Sequence, residues 1–386
     1  MAQAEVAAAA LCTHSDGVSL SPAMTKKAAR RWPAVLAAVV AGALMVLALT
    51  SNVRSSRSSL SRVDTVMDES RQLPSARSLA ASRKAKPSKK IKPTIGVSMG
   101  SMAIDDREKQ VGAHIPIAMT FQPCMNVLKT WDDEIVRRQK LGHEIVLVLE
   151  FNETSKKVKA LDLVLSGFYD KKLRKIGRRF GRMKKHRVWV RILHEFNSDW
   201  YPWGTFKEGN SIPKFKQAYR YIVKRLRKHG AGDNIKFQLS YNARSSGGDK
   251  IDFSKWWPGD AYVDMIMITA YNRAGTLEGT EKPFQQFAEF FPESYKRVAA
   301  LHPTKPIGIS EAGSTDAKGA QAKADWYYNM FKTLKESHAF PRLAQVNFFL
   351  EDKIYDWRLD TREEQTRFGD GMRLLGYKAI KRDGES

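Results

Sequence analysis

VWVRILHEFNSDWYPWG, residues 188–204, changes character part-way along. Its first six residues are apolar except for Arg191, with β-branched Val188, Val190 and Ile192 at alternate positions, as in a strand buried on both faces. The rest abandons that pattern for His194, Glu195, Asn197, Ser198 and Asp199 among the rings of Phe196, Trp200, Tyr201 and Trp203. A buried strand that breaks off into polar and aromatic residues is what a parallel barrel shows at its C-terminal mouth, where catalytic groups gather.

The same pattern repeats outward in both directions. Short apolar runs suited to strands occupy residues 94–98, 115–121, 144–150, 188–193, 235–241, 263–270, 306–310 and 344–350. Amphipathic stretches suited to helices fill most of the gaps, at residues 127–140, 170–184, 214–228, 284–300 and 323–336. Eight strands alternating with helices over residues 93–377 have the count and size of a (β/α)8 TIM barrel. A doubly wound open sheet is the alternative, but no glycine-rich phosphate loop follows the first strand. No repeat at solenoid spacing is present.

In a barrel, polar residues at strand ends face the mouth. Strand five runs out at Tyr241 and Asn242, strand six at Tyr271 and Asn272, and strand seven at Glu311. Glu195 and Glu311, on strands four and seven, then face each other across the opening. Retaining glycosidases need such a pair roughly 5–5.5 Å apart, one carboxyl protonated and one ionised. A neighbouring His and Tyr can hold the two pKa values apart, and Trp rings offer flat apolar faces to a sugar. The bland alternatives are a salt bridge between Glu195 and Arg191 and a satisfied core role for His194. Trp256 and Trp257 read as loop packing, and Tyr201 and Trp203 as either wall or subsite.

These segments resemble glycoside hydrolase family 26. RILHEFNSDWYPWG (residues 191–204) is similar to that family's acid/base motif, with a His just before the catalytic Glu. PIGISEAGS (residues 306–314) is similar to its nucleophile motif, and WWPGDAYVDMIMITAYN (residues 256–272) to its strand-six region. SGFYDKKLRKIGRRF, KADWYYNMF and the DWR of residues 356–358 also match, in the family's order, so the resemblance covers nearly all of residues 93–377. It implies a retaining barrel with Glu195 as acid/base and Glu311 as nucleophile. It gives five substrate-binding residues: His194 against the acid/base, Tyr271 orienting the nucleophile, Trp200 lining the sugar site, and Arg191 and Asn197 as supporting polar residues. It implies no cofactor and no metal. The family is mostly endo-β-1,4-mannanases, with β-1,3-xylanases and mixed-linkage β-glucanases as minorities. Three departures bear on substrate: Thr269 stands where the family commonly has Asp, Ala312 where it has Phe, and strand eight (QVNFFLED) offers no match to the family's subsite Trp.

Residues 1–32 are Ala-rich and end in Lys26, Lys27, Arg30 and Arg31. An uninterrupted apolar run, AVLAAVVAGALMVLAL, follows at residues 34–49. With cations before it, the positive-inside rule predicts a cytosolic tail (1–32), a signal anchor (33–50) and a type II membrane protein with its barrel lumenal or extracellular. Cleavage near Ala48 and Thr50, and secretion, is the alternative. Residues 51–92, rich in Ser, Arg and Lys, read as a disordered stalk, and residues 93–386 as the catalytic domain.

The chain carries +24 formal charges, and +14 of these belong to residues 93–386, so the barrel is itself basic and favours anionic partners. The run KKLRKIGRRFGRMKKHR, residues 171–187, reads as a solvated helix face rather than a nucleic-acid site, since no nucleic-acid module accompanies it. The chain is read as a monomer whose partners are a β-linked polysaccharide and the membrane, with no nucleic acid. The two cysteines, Cys12 and Cys124, flank the apolar run and are not expected to pair. Asn152-Glu153-Thr154 is a glycosylation sequon if the domain is lumenal.

Overall fold

The computed structural model describes residues 92–153, 159–183, 186–248, 250–276, 283–353 and 355–381. The apolar run, the cytosolic tail and almost all of the stalk stretch lie outside the described residues. Among the described residues no helix is long and apolar enough to cross a membrane. Lys92, assigned above to the stalk, already sits 3.9 Å over the ring of Tyr377.

Eight strands, β1 (Thr94–Ser98), β2 (Ile117–Pro123), β3 (Glu144–Glu150), β4 (Val188–Ile192), β5 (Ile235–Tyr241), β6 (Met265–Asn272), β7 (Ile307–Ser314) and β8 (Leu343–Phe348), pair in sequence order. All pairings are parallel and β8 closes on β1, which makes the (β/α)8 barrel. Around it run α1 (Ile104–Val111), α2 (the π-wound Asp132–Arg137 with a last turn, Arg138–Lys140), α3 (Ala160–Leu165) and α4 (Asp170–Arg182). The second half contributes α5 (Ile212–Lys228), α6 (Phe287–Ala299), α7 (Ala320–Glu336) and α8 (Arg362–Leu374).

The alternation read from sequence sorts the strand residues into two layers. Ile117, Met119, Val146, Val148, Trp189, Met265 and Met267 fill the barrel interior with Phe349 and Trp357. Their neighbours Ile145, Leu147, Val188, Val190, Ile266 and Ile268 face outward into the core shared with the helices. Polar side chains also enter the interior, joined in one chain. Arg191 Nε donates to Gln238, Gln238 to Gln345, Gln345 to Asn347, and Asn347 to the Ile309 carbonyl. Each side chain in that chain therefore has a partner, which is the condition for keeping it inside, although Arg191 Nη2 itself has none among the described residues.

Some elements differ from the sequence expectation for identifiable reasons. β2 begins at Ile117 rather than residue 115, because Pro116 has no N–H for the ladder. The helix expected at 127–140 starts at Asp132, where Asp132, Asp133 and Glu134 suit the positive end of the dipole. α1 has too few apolar residues to show a stripe. α8 is masked by Gly369 and Gly371, although its capping box, Thr361 with Glu364, was readable.

β7 continues to Ser314 instead of stopping at residue 310, and it carries a bulge. Against β6, Ile268 pairs with Ile309 and Ala270 with Ala312; against β8, Ile309 pairs with Val346 and Ala312 with Phe348. β7 thus advances three residues while each neighbour advances two. Ile307, Ile309 and Ala312 all pack on the outer side, so the bulge shifts the phase between Ile309 and Ala312. Without it Glu311 would follow Ile309 outward; with it, the carboxylate faces the barrel interior.

Candidate active site

A second irregularity re-aims Glu195. β4 ends at Ile192, and both Leu193 (φ 48°) and Glu195 (φ 51°) take the left-handed conformation, which costs non-glycine residues on the order of 1–3 kcal/mol each. The surroundings hold the turn in place: Glu195 N–H donates to the Ser240 carbonyl of β5, and Trp203 Nε1 donates to the His194 carbonyl. Strain of this kind concentrates at functional sites.

The Glu195 carboxyl is held from two sides. Asn242 Nδ2 donates to Oε1 at 2.7 Å, and Trp200 Nε1 to Oε2 at 3.0 Å. Asn242 is itself fixed by Asn197, whose side chain accepts from its N–H and donates to its carbonyl. Glu311 receives Arg191 Nη1 at 3.2 Å on Oε1 and the Tyr271 hydroxyl at 3.0 Å on Oε2. Arg191 therefore pairs with Glu311, not with Glu195.

The electrostatics separate the two acids. Burial, and next the charge of Glu311, push Glu195 up to about 7. Burial also raises Glu311, but Arg191, the Tyr271 hydrogen bond and Lys353 pull it back. Both acids are thus raised above the ordinary carboxylate range, and Arg191 and Tyr271 favour the charged form at Glu311. Burial, then Arg191 and Lys353, hold His194 well below the ordinary histidine range, so its ring is neutral.

All seven residues singled out from the sequence come together here, but in different positions. Trp200 is 44% exposed, its indole N–H on Glu195 and its faces open to the mouth. Tyr271 is half-buried against Trp357, ring centroids 4.6 Å apart. Arg191, His194 and Asn197 have no exposure at all. Their atoms serve Glu311, the ring cluster of Phe121, Tyr201 and Trp203, and the Asn242 main chain respectively, so none of the three is placed to bind the substrate directly. Trp203 and Trp256 are buried wall residues, and Tyr201 stacks on Trp203 at 4.7 Å. Thr269 accepts the Ala243 N–H and so anchors the loop after β5.

Four residues near the site were not picked out. Asn242 reads in sequence only as a strand end. Trp357 comes from the loop after β8 and lies over Gly313 and Tyr271; it is in the DWR match but not in a strand, which hid it. Glu150 ends β3 as Glu311 lies in β7, and burial raises its pKa, with Lys353 opposing. Lys353 sits over the rings of Phe121 and Phe349.

At the N-terminal end of the barrel, Glu108, His114 and His143 bring possible metal-ligand atoms within 4.8 Å of one another. Glu108 and His114 precede β2 and His143 precedes β3, so no ligand-type spacing in sequence marks them. His114 Nδ1 and the Ile115 N–H both donate to Glu108, and His143 Nδ1 donates to the Ile115 carbonyl, which accounts for the cluster without an ion.

The family model for Glycosyl hydrolase family 26 matches residues 150–341, a range that contains both carboxylates. Endoglucanase H of Acetivibrio thermocellus is 32% identical over 46% of this chain and 19% of that protein. A mannan endo-1,4-beta-mannosidase of Bifidobacterium adolescentis is 31% identical over 28% of this chain and 11% of that protein. The chain thus spans less than a fifth of the length of either relative. Among solved structures, an endo-beta-1,4-mannanase of Cellulomonas fimi superposes with a TM-score of 0.56 at 14% identity, covering 72% of this chain and 70% of that one. A bulged strand, a strained strand end and a buried pair of carboxyls fall inside the matched range of an eight-stranded barrel, and on this evidence the chain belongs to glycosyl hydrolase family 26.

Proposed function

We propose that this chain is a retaining endo-β-glycoside hydrolase that cleaves β-1,4-mannan or glucomannan, with Glu195 as acid/base and Glu311 as nucleophile. The observation that carries the reading is the buried carboxyl pair, one acid raised to about 7 and the other held by Arg191 and Tyr271. In the first step a Glu311 oxygen bonds to the anomeric carbon while the glycosidic bond breaks and Glu195 gives its proton to the departing oxygen. In the second, Glu195 takes a proton from water, the water oxygen bonds to the same carbon, and the Glu311 ester bond breaks. Arg191 and Tyr271 keep Glu311 ionised and aimed, and the exposed Trp200 faces offer a platform to a sugar ring. No metal or cofactor enters either step.

A second substrate reading, a β-glucan such as mixed-linkage glucan, takes its support from the endoglucanase relative, while Thr269, where the family commonly has Asp, weakens the mannan reading. Release of reducing ends from mannan, glucomannan, β-1,3-xylan and mixed-linkage glucan decides between them, with Glu311→Gln as control. Activity on mannan or glucomannan, lost in that variant, is the expected result; cleavage of only the other two would move the substrate and keep the mechanism. No activity on any of them would favour a carbohydrate-binding barrel.

The apolar run at residues 34–49, with four cations before it, supports a membrane tether that holds the barrel on the far side of the membrane. Digestion of the barrel in sealed microsomes without detergent would refute that orientation, and a mature N-terminus beyond Thr50 would show cleavage instead.

A further inference from the structure

The mouth of the barrel holds a cation to which the two-step reaction above gives no contact. Lys353, in the loop after β8, lays its Nζ 4.9 Å over the ring of Phe121 in β2 and 5.4 Å over that of Phe349. The two rings meet edge to face at 5.7 Å, and Phe121 meets His194 at 5.9 Å. Phe349 belongs to the interior layer of the barrel and Phe121 packs against it. Lysine heads at a surface ordinarily reach for water; this one is drawn onto two aromatic faces instead.

The Lys353 side chain is exposed and makes no hydrogen bond or ion pair among the described residues, so its three N–H donors are open to a substrate. Glu150, half-buried at the end of β3, supplies acceptors nearby. Burial raises the Glu150 carboxyl and the Lys353 charge opposes this, yet the two form no ion pair among the described residues. One Glu150 oxygen takes the Asn152 amide at 3.4 Å, and the other has no hydrogen-bond partner among the described residues.

Position decides which part of a substrate these groups meet. β8, β1, β2 and β3 form one sector of the closed barrel, and Phe121, Glu150, Phe349 and Lys353 all come from it. Glu195 is held from elsewhere, by Asn242 after β5 and by Trp200 in the loop after β4, and it meets the leaving portion of the substrate. The charge of Lys353 acts on Glu311 instead, after burial, Arg191 and Tyr271. The sector therefore adjoins the sugar that becomes bonded to Glu311. A sugar hydroxyl donates and accepts at once, so one hydroxyl or a vicinal pair suits an ammonium on one side and a carboxylate on the other.

We propose that Lys353 and Glu150 are specificity-determining residues that bind hydroxyls of the sugar attacked by Glu311, Lys353 donating and Glu150 accepting. The proposal rests on the glycoside hydrolase reading above and goes beyond it in naming residues that read that sugar.

The test uses dinitrophenyl β-glycosides of the shortest oligosaccharide that the wild type cleaves, intact or with single hydroxyls of the sugar beside the aryl group replaced by hydrogen. Such a leaving group needs no proton, so the readout is independent of Glu195. In the wild type, loss of at least one hydroxyl should lower kcat/KM roughly tenfold or more, as for a hydrogen bond to a charged group. Lys353→Met should lose a similar factor on the intact substrate and become insensitive to loss of that hydroxyl. Lys353→Arg, which keeps a charged donor, should retain most of the sensitivity, and Glu150→Leu should abolish it for the hydroxyl that Glu150 accepts from. Equal losses on every analogue in Lys353→Met, with the acid limb of kcat/KM moved to higher pH, would show action through the charge on Glu311 alone and overturn the contact. Unchanged kcat/KM on the intact substrate in both Lys353→Met and Glu150→Leu overturns it too, while the hydrolase reading stands. Failure of the wild type to cleave any oligosaccharide of mannan, glucomannan, β-1,3-xylan or mixed-linkage glucan overturns the hydrolase reading and this proposal with it.

Discussion

Trp200 shows how one side chain can serve two ends. Its indole N–H on Glu195 stabilises the ionised carboxylate, and its exposed faces are free for a ring. Trp200→Phe keeps a flat face and removes the hydrogen bond, so the pKa of Glu195 should rise. Activity requires Glu195 protonated, so the alkaline limb of the kcat/KM profile, expected near pH 7 in the wild type, should move to higher pH. An unmoved limb would detach it from Glu195. Arg191 acts on the other acid with the same sign. In Arg191→Met the charge that lowers the Glu311 pKa is gone, so the acid limb should also move up. Breaking a fully buried pair from one side typically costs about 3–5 kcal/mol, which denaturant unfolding would read. Wild-type stability and an unshifted acid limb would contradict that role. Both carboxylates were legible in sequence because charged groups at the ends of apolar strands stand out. The partner of Arg191 was not, since it lies 120 residues away and depends on which side of β7 Glu311 faces.

At the scale of the element, β7 decides that question. Strand positions were legible from apolar runs, but a bulge leaves no period of its own, so residues 306–310 read as a strand ending short of the glutamate. The bulge is followed by Gly313, where an added Cβ would lie 3.1 Å from Trp357 and 3.2 Å from Tyr271. Gly313→Ala should therefore push the Tyr271 hydroxyl off Glu311 by a few tenths of an ångström. We expect a loss of about tenfold in kcat/KM, scaled from the sensitivity of catalysis to misplacement, with little change in Tm. A large fall in Tm with catalysis intact would assign Gly313 to packing alone. Gly308 is the contrasting case: a Cβ there would meet Met267 Sδ at 2.5 Å and the Gln345 carbonyl at 3.1 Å. Gly308→Ala should destabilise by about 1–3 kcal/mol through overpacking. The basic run of residues 171–187 resolves at this scale too. α4 buries Leu173, Ile176, Gly177 and Phe180, and leaves Lys171, Arg174, Lys175 and Arg178 in solvent.

For the whole molecule, the barrel was legible because eight buried parallel strands and amphipathic helices leave a period that survives errors of a few residues at their ends. Closure was not legible, since it depends on β8 pairing with β1 and on Tyr377, whose hydroxyl donates to the Pro93 carbonyl and accepts from Ile95 N–H. Nor was the division of labour around the mouth, where buried Arg191, His194 and Asn197 support while Trp200 and Tyr271 face outward. The barrel's central claim is chemical: the proton rests on Glu195 and the attack comes from Glu311. Two successive inversions at one carbon must return its original configuration. A proton NMR time course of wild-type hydrolysis of a β-linked oligosaccharide tests this most directly. The account predicts the β-anomer as first product, with the α-anomer growing in only at the rate of mutarotation; the α-anomer appearing first would contradict it.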